Sequence, residues 1–423
     1  MKSLPVQNTH PYNKTRQKWQ TLHKDLRFNR SLNLRFSLIE GTYWMVMGCL
    51  NGYLITLLQH RGFSMYLIGI MLAAKTMISL LSQLSLSAAG DYFYNIPIKY
   101  MAAWCVALCF GANATLSLTR PSFAGTLALI MVMGATENSI VSLLDSLSMQ
   151  FLNTGFSIHY SACRSAGSFC YAVLCLGLGR IVDLFSPEII LTFHGILLVA
   201  LFVSVISFPR FNPDWKFLST DSLLPAASET PSIRKMFLSC RFYPLFLAAS
   251  CFASVGYSAN SNYLVSIVQN IGGNNQDAGL AMFVSAISQV PMMLFFFPKL
   301  SKKLSPVCMI LISLFSYILL WGLTALTTDI SSLILLQSLQ ILAYGLYLPT
   351  CILYINQMIP DPNKIKGQTF FMIAGNLGAT IGNYISGYTI DAFSCRTMIL
   401  INVGFLAFAA ALTFPGIFSK IKE

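Results

Sequence analysis

Ionisable side chains are rare in the long apolar stretches of this chain, so those that occur there are the first candidates for chemistry. Burying such a group at the centre of a membrane-spanning helix costs at least about 2.5 kcal/mol, and the residues that remain there usually have a function. Lys75 and Glu137 lie deep in two apolar stretches, while Asp145 ends the stretch that holds Glu137 and Arg164 begins the next one. Their chemistry would be charge pairing, proton exchange or binding of a polar ligand.

Depth along the helices decides which of these charges can meet. Lys75 and Glu137 differ in depth by about 7–8 Å at a rise of 1.5 Å per residue, a gap that a lysine side chain spans. We expect a buried pair, and a Glu137 released from Lys75 would take up a proton. Asp145 and Arg164 bracket a short polar loop, so antiparallel helices would bring them together as an ion pair that re-forms around a ligand. A static buried pair and a salt bridge that anchors helix ends are the structural alternatives.

The elements that must position these charges are membrane helices. Hydrophobic residues make up 55% of the chain and charged residues only 10%, which excludes an ordinary soluble domain. Apolar runs of about 20 residues alternate with short polar clusters, a pattern typical of helices and not of an outer-membrane barrel. We therefore predict an all-α membrane protein with twelve transmembrane helices. The predicted spans are 34–58, 65–88, 98–119, 122–145, 162–184, 188–208, 243–267, 276–297, 306–326, 332–358, 368–390 and 397–415.

The distribution of basic residues predicts the orientation of these helices. Most of the 27 Lys and Arg residues fall in the two termini and in alternate loops, which the positive-inside rule assigns to the cytoplasm. We expect a multi-pass protein of the cytoplasmic membrane, which is the inner membrane in a cell that has two membranes. Both termini are expected on the cytoplasmic side. The net charge of +12 then reflects orientation and contact with anionic lipid of the bilayer, and no nucleic-acid partner is expected.

Motifs of soluble enzymes and metal sites are missing from the sequence. It has no phosphate-binding glycine loop, no zinc-protease motif and no Ser/His/Asp grouping. The 11 cysteines are scattered, mostly within spans, and no C-x-x-C pair occurs. We expect no catalytic residue, no cofactor and no metal, and the two histidines His159 and His194 are interpreted as structural.

The chain repeats itself once, around a linker rich in Pro, Ser and Thr. The stretch "NGYLITLLQHRG" (51–62) matches "SNYLVSIVQNIG" (261–272), and "GRIVDLFS" (179–186) matches "GYTIDAFS" (387–394). We predict two pseudo-symmetric six-helix bundles, 34–208 and 243–415, joined by a cytoplasmic linker, 209–242, with cytoplasmic tails 1–33 and 416–423. Duplicated six-helix halves are the architecture of secondary transporters, whose solute site lies between the halves and opens to each side in turn.

The repeat separates architectural charges from binding charges. Asp183 and Asp391 occupy equivalent positions at the ends of helices 5 and 11, so we interpret both as gating residues. Arg164 has no copy, because its equivalent position holds Met372. That asymmetry favours a solute site on the first half.

The residues resemble the major facilitator superfamily, and within it the lactose permease-like oligosaccharide symporters and the related phenylpropionate permeases. "GIMLAAKTMISLLSQLSLSAAGD" (69–91) resembles their second helix, "YWMVMG" (43–48) their first, and "YSACRSAGSFCYA" their fifth. The resemblance implies the superfamily's fold of twelve helices. It also implies a gating role for Asp91, which the loop after helix 2 keeps without the superfamily's usual basic run.

The same resemblance implies a solute site. In these symporters an acid on helix 4 and an arginine on helix 5 hold the sugar, which puts Asp145 and Arg164 in those roles, and Tyr171 stands where an aromatic ring stacks on the sugar. Gln340 stands at the histidine that couples protons on helix 10. A glutamine does not titrate, so coupling would lie with Glu137 and Lys75, with Asp145 or Glu40, or be absent in a facilitator or exchanger.

We therefore expect a monomeric permease that moves a small polar organic solute by alternating access. A sugar or short oligosaccharide is the first candidate, with protons as the coupling ion in a symport. The alternatives are an aromatic-acid or nucleoside permease of the same fold, a drug exporter, and a membrane sensor that transports nothing.

Overall fold

The computed structural model describes residues 25–89, 96–212, 240, 242–359 and 363–415. The described residues form twelve helices and no strand, which we label α1 to α12. The predicted gating residue Asp91 lies outside the described residues, as do the tails 1–24 and 416–423 and most of the predicted linker.

In the first half the helices are α1 Leu26–His60, α2 Met65–Ala89, α3 Ile98–Leu118, α4 Phe123–Leu152, α5 Tyr160–Leu184 and α6 Ile189–Ser207. In the second half α7 has two segments, Tyr243–Asn262 and Leu264–Asn270, and α8 runs through Asn275–Pro291, the π-helical Met292–Phe296 and Phe297–Leu300. The remaining helices are α9 Pro306–Leu326, α10 with segments Ile330–Leu336, Gln337–Ile341 and Tyr344–Met358, α11 Lys364–Ala392 and α12 Cys395–Thr413.

Several helices differ from the predicted spans at their ends or in their continuity. α1 begins at Leu26 and not near residue 34, and α4 continues to Leu152, so Asp145 lies within α4 and not at its end. α10 contains a 3-10 segment, Gln337–Ile341, which hydropathy does not reveal because both segments around it are apolar. The break in α7 lies at Tyr263.

Nine of the described helices are long and apolar enough to cross a membrane, judged by length and composition. The three that fall short are α1, α7 and α11. Large apolar side chains such as Leu108, Val203, Phe315 and Phe408 are exposed on α3, α6, α9 and α12. Exposed apolar side chains on these four helices fit a lipid-facing surface.

Helix packing repeats between the two halves. In the first half α1 packs on α5 and α6, α4 on α2 and α3, and α3 on α6; in the second half α7 packs on α11 and α12, α10 on α8 and α9, and α9 on α12. The main contacts between the halves are α2 with α11 and α5 with α8, which exchange under the same pseudo-twofold operation. The fold is that of two pseudo-symmetric six-helix bundles.

The repeat extends to the turns. Gly62 after α1 and Gly272 after α7 have φ of 85° and 87°, a left-handed conformation that glycine adopts without steric cost. Both glycines end a helix just before the start of α2 or α8. The two halves share this turn geometry, which sets the direction in which α2 and α8 enter the interface between the halves.

Candidate functional site

The two halves are joined by hydrogen bonds at one end of the bundle, where α5 and α11 end and α2 and α8 begin; we call it the Asp183 end. Asp183 accepts from Asn275 N (3.1 Å), Asn275 Nδ2 (2.7 Å) and Gln276 N (2.8 Å). We call this group the α5–α8 latch. The carboxylate lies at the N-terminus of α8, where free N–H groups and the helix dipole favour an anion.

An equivalent group joins α2 and α11. Asp391 accepts from Met65 N (3.2 Å) and Tyr66 N (2.7 Å), and we call it the α2–α11 latch. The alignment that superposes Tyr53 on Tyr263 also superposes Met65 on Asn275. The structure therefore brings Asp183 and Asp391, two of the three predicted gating aspartates, to the interface, each at the N-terminus of a helix of the other half.

Close backbone approach accompanies each latch. A Cβ added to Gly179 would collide with the carbonyl of Asn275, and one added to Gly387 would collide with the carbonyl of Met65. A Cβ on Gly69 would lie 2.9 Å from the carbonyl oxygen of Asn383. Only glycine fits at these points while the helices stay this close, so the Asp183 end is tightly closed.

Two buried tyrosines complete the symmetry. Tyr53 donates to the carbonyl of Cys175 (2.6 Å), and Tyr263 donates to the carbonyl of Asn383 (3.1 Å). Both are fully buried, and Cys175 and Asn383 occupy equivalent positions on α5 and α11. Each tyrosine thus holds the helix that carries a latch aspartate against the first helix of its own half.

An ion pair orders the same end within the first half. Arg61 binds Glu188 through two hydrogen bonds, Nε to Oε1 (3.0 Å) and Nη2 to Oε2 (2.7 Å), and also donates to the carbonyl of Leu116 (2.9 Å). These hydrogen bonds, more than the charge alone, hold the pKa of Glu188 below its ordinary value. The pair ties the α1–α2 turn to the α5–α6 turn.

Beneath the latches lies a central cavity of about 190 Å³ between the halves. Its walls come from α1, α2 and α4 on one side and α7 and α11 on the other, and they carry more amides than any other polar group. The polar lining residues are Asn51, Lys75, Thr76, Ser79, Asn138, Asn262, Asn376 and Asn383, and the apolar ones are Met47, Leu50, Leu54, Ile55 and Leu72.

Asn383 lines the cavity and also contacts the other half. Its side-chain oxygen accepts from Asn262 Nδ2 (2.9 Å), and its Nδ2 donates to Thr76 Oγ1 on the other half (3.3 Å). Its backbone oxygen accepts the hydrogen bond from the Tyr263 hydroxyl. A solute that replaced Thr76 as partner would act directly on the contact between α2 and α11.

The structure brings Lys75 and Glu137 together. Lys75 Nζ lies 3.0 Å from Glu137 Oε2, and the carboxylate is fully buried. Glu137 Oε1 lies 3.4 Å from His194 Nε2 on α6, and His194 Nδ1 lies 2.9 Å from Asn113 Oδ1 on α3. His194 is a partner that the sequence did not single out, since a lone histidine in an apolar run gives no sign of which helix it faces.

Within the described residues, Cys109, Glu137 and His194 place their ligand atoms within 4.8 Å of one another. The ammonium of Lys75 already neutralises the Glu137 carboxylate at 3.0 Å, and a cation there would have to displace it. This donor set therefore does not fit a resident metal.

The other predicted pair is arranged differently from the expectation. Arg164 Nη1 lies 3.7 Å from Glu40 Oε2, and its guanidinium stacks on the Trp44 ring at 3.8 Å. Asp145 accepts instead from Tyr160 (2.7 Å), although it stays within electrostatic range of Arg164. The expected direct Asp145–Arg164 ion pair is replaced because α1 packs against α5 along its length and puts Glu40 closer to the arginine.

The remaining predicted solute residues lie away from the central cavity. The ring of Tyr171 packs on α1, where a Cβ on Gly48 would be 3.3 Å from Tyr171 Cδ2. Gln340 is buried in the 3-10 segment of α10, and its Oε1 has no hydrogen-bond partner. Neither residue lines the described cavity.

Four tyrosines form a cluster in the second half that the sequence analysis missed. Tyr257 on α7 stacks on Tyr317 at 5.2 Å between ring centroids, and Tyr344 and Tyr347 on α10 approach it edge-on at 6.2 and 5.9 Å. The cluster lies where α7, α9 and α10 meet. No local signal predicts it, because its members come from three helices.

The sequence also matches a known protein family: residues 39–401 match the MFS_1 like family. The chain belongs to that family. It is a membrane transporter of the major facilitator type, as the resemblance in its sequence implied, while the lactose permease-like branch stays a prediction. A relative among curated proteins, an uncharacterized transporter YwbF of Bacillus subtilis (strain 168), is 20% identical over 305 residues, 70% of this chain and 72% of that protein.

Solved structures agree on the fold. The nucleoside transporter NupG superposes with a TM-score of 0.78 at 14% identity, covering 92% of this chain and 100% of that chain. A bacterial homolog of the human lysosomal transporter Spinster, in an inward-facing and unoccupied conformation, gives 0.69 at 11% identity, covering 92% and 97%. At these identities the likeness shows the fold alone.

Proposed function

We propose that this transporter carries a compact, uncharged polar solute through the central cavity by alternating access. The observation that carries the proposal is an amide-lined cavity between the halves, whose walls include α2 and α11, the two helices that the α2–α11 latch joins. Lys75 is the cationic side chain of the lining, and Glu137 neutralises it at 3.0 Å. A neutral wall rich in paired donors and acceptors favours hydrogen-bonding solutes over ions.

The size of the cavity narrows the solute class. Its volume of about 190 Å³ is below the roughly 300–1,000 Å³ of sites for drug-sized ligands, which favours a small solute. A monosaccharide is the first candidate, ahead of a short oligosaccharide. A nucleoside is the second candidate, because asparagine amides complement the donor and acceptor pattern of base edges, and a nucleoside transporter is among the structural neighbours.

Asp145, Arg164, Tyr171 and Gln340 remain in the proposal as solute contacts on the path away from the Asp183 end. Arg164 lies roughly 28 Å along α5 from Asp183 at 1.5 Å per residue. Its Nη1 has no hydrogen-bond partner within the described residues and lies 3.7 Å from Glu40 Oε2, so a solute hydroxyl or base would reach it by displacing that ion pair. Asp183, Asp391 and Asp91 are proposed as gating residues, and Glu137 with Lys75 as the coupling pair for protons.

Further parts of the proposal rest on sequence. The two bundles are assigned to 34–208 and 243–415, and the protein is proposed to work as a monomer in the cytoplasmic membrane with both termini inside. The Asp183 end is then the outer end, and the latched conformation is closed to the outside. The distribution of basic residues supports this orientation.

Entrance counterflow in proteoliposomes tests the proposal, since it reports solute exchange without a driving ion. Labelled monosaccharides, oligosaccharides, nucleosides and aromatic acids would be compared. We expect counterflow with a monosaccharide, and Asn376→Ala to raise KM about fivefold through loss of a hydrogen bond worth about 1 kcal/mol. Asn270→Ala is the matched control, because Asn270 is exposed at the end of α7 and outside the cavity.

Absence of counterflow with every solute would refute the permease and favour a sensor. Counterflow with the nucleosides alone would select the second candidate. Equal KM for Asn376→Ala and the parent protein would remove the central cavity as the solute site.

A further inference from the structure

Glu137 lies between two basic side chains, Lys75 and His194. Its carboxylate, fully buried on α4, faces Lys75 Nζ on α2 at 3.0 Å and His194 Nε2 on α6 at 3.4 Å. The roles of these bases differ in their access to solute, because Lys75 lines the central cavity and His194 does not. The inference that follows deepens the proposed function and rests on it.

The neighbour of His194 fixes where the imidazole carries its hydrogen. Asn113 Nδ2 donates to the carbonyl of Leu191 (3.0 Å), which orients the amide so that its Oδ1 faces His194 Nδ1 at 2.9 Å. An amide oxygen only accepts, so Nδ1 must be the donor. A neutral imidazole has one N–H, and that leaves Nε2 without a hydrogen.

Nε2 without a hydrogen is an acceptor, and it faces another acceptor, Glu137 Oε1. In the state with ionised Glu137 and neutral His194, the lone pair of Nε2 would point at carboxylate Oε1 with no hydrogen between them. Both groups are fully buried, and the unmet contact would carry the full cost of two desolvated acceptors. One added proton removes the conflict, whether it sits on His194 or on Glu137.

We infer that Lys75, Glu137 and His194 form a proton-binding triad that takes up one proton with each solute. A proton on His194 and a proton on Glu137 are two forms of the same triad with one proton added, because the groups titrate together. The other titratable groups that face the triad are Tyr43 and Cys49 on α1 and Cys109 on α3, which are uncharged at neutral pH in their ordinary forms.

Lys75 connects this proton to the solute. Its ammonium lies 3.4 Å from Asn51 Oδ1 in the cavity wall as well as 3.0 Å from Glu137. When Lys75 turns to a solute in the cavity, Glu137 loses its counter-charge, and the triad binds the proton more tightly. When the solute leaves, Lys75 returns to the carboxylate and the triad binds the proton less tightly, which favours its release. Solute and proton therefore move together.

The test measures protons and solute in the same proteoliposomes, with an internal pH dye for protons and labelled monosaccharide for solute. We expect the wild-type protein to carry one proton per solute. His194→Asn keeps a donor for Asn113 and removes Nε2, so its proton-to-solute ratio should fall below that of the wild type. His159→Asn is the matched control, because His159 lies before α5, outside the triad.

Asn113→Ala is a second variant that leaves all three triad residues in place. It frees His194 to carry its hydrogen on Nε2 and donate to Glu137 while neutral, so the proton-to-solute ratio should fall below that of the wild type. A wild-type ratio of zero with active counterflow overturns the triad and leaves the permease intact. An unchanged ratio in both His194→Asn and Asn113→Ala also overturns it. Absence of counterflow overturns the proposed function itself.

Discussion

The α2–α11 latch should weaken measurably when Asp391 loses its charge. The carboxylate accepts from the first two N–H groups of α2, Met65 N and Tyr66 N, which have no partner within their own helix. Asp391→Asn keeps one acceptor oxygen and removes the charge. Because Asp183 does the same for α8, the double substitution removes the charge from both latches.

The magnitude follows from the number and kind of these hydrogen bonds. A hydrogen bond to a charged group contributes about 1.5–3 kcal/mol, and exposure of both carboxylates puts each latch near the lower limit. With one acceptor kept, Asp391→Asn should cost about 1 kcal/mol and the double variant about 2 kcal/mol. These values shift the equilibrium between the closed and open Asp183 end about fivefold and about 30-fold.

Hydrogen–deuterium exchange reads this equilibrium at the amides concerned. When reclosing is fast, the exchange rates of Tyr66 and Gln276 rise by the same factors as the open fraction. Asp329→Asn is the matched control: Asp329 caps α10 through Ser332 N (2.8 Å) at the same end of the bundle and touches its own half. Unchanged exchange at Tyr66 and Gln276 in the double variant would refute the latch.

Two further predictions concern packing. Gly179→Ala should slow counterflow strongly, because its Cβ would collide with the carbonyl of Asn275. Gly177→Ala is the control on the same helix, and it should transport normally because its Cβ would meet open space. Equal counterflow rates of the two variants would contradict the close approach of α5 and α8. Lys75→Met should lower the Tm in detergent, since leaving one charge of a buried pair costs about 3–5 kcal/mol, and adding Glu137→Met should recover most of it. A Tm of the single variant equal to that of the double variant would show that the pair is not buried.

The symmetric parts of the structure were predictable from sequence. Asp183 and Asp391 stand at matching positions of two short repeated motifs, and matching motifs in matching halves take equivalent contacts. The Lys75–Glu137 pair was predictable for another reason. Depth along a membrane helix is set by a rise of 1.5 Å per residue, so two charges on parallel helices can be compared without knowing the packing.

Contacts that depend on which faces of neighbouring helices meet were not predictable. Arg164 pairs with Glu40 and stacks on Trp44, whereas sequence placed Asp145 opposite it. His194 reaches Glu137 for the same reason, because the rotation of α6 about its axis decides whether the imidazole points to lipid or to the core. The amides of the central cavity come from four helices, and no single stretch predicts that they converge.

The symmetry of the latches and the asymmetry beneath them have a joint consequence for transport. Each latch closes the same end through equivalent backbone hydrogen bonds, and neither includes a residue of the cavity wall, so neither distinguishes a loaded from an empty protein. Asn383 does, because it reaches Thr76 of the other half from the cavity wall, and its equivalent Cys175 has no amide. A ligand shifts a conformational equilibrium only by its difference in affinity for the two states. A solute bound to Asn383 and to the wall of the first half has that difference, since its contacts exist only while α2 and α11 stay together.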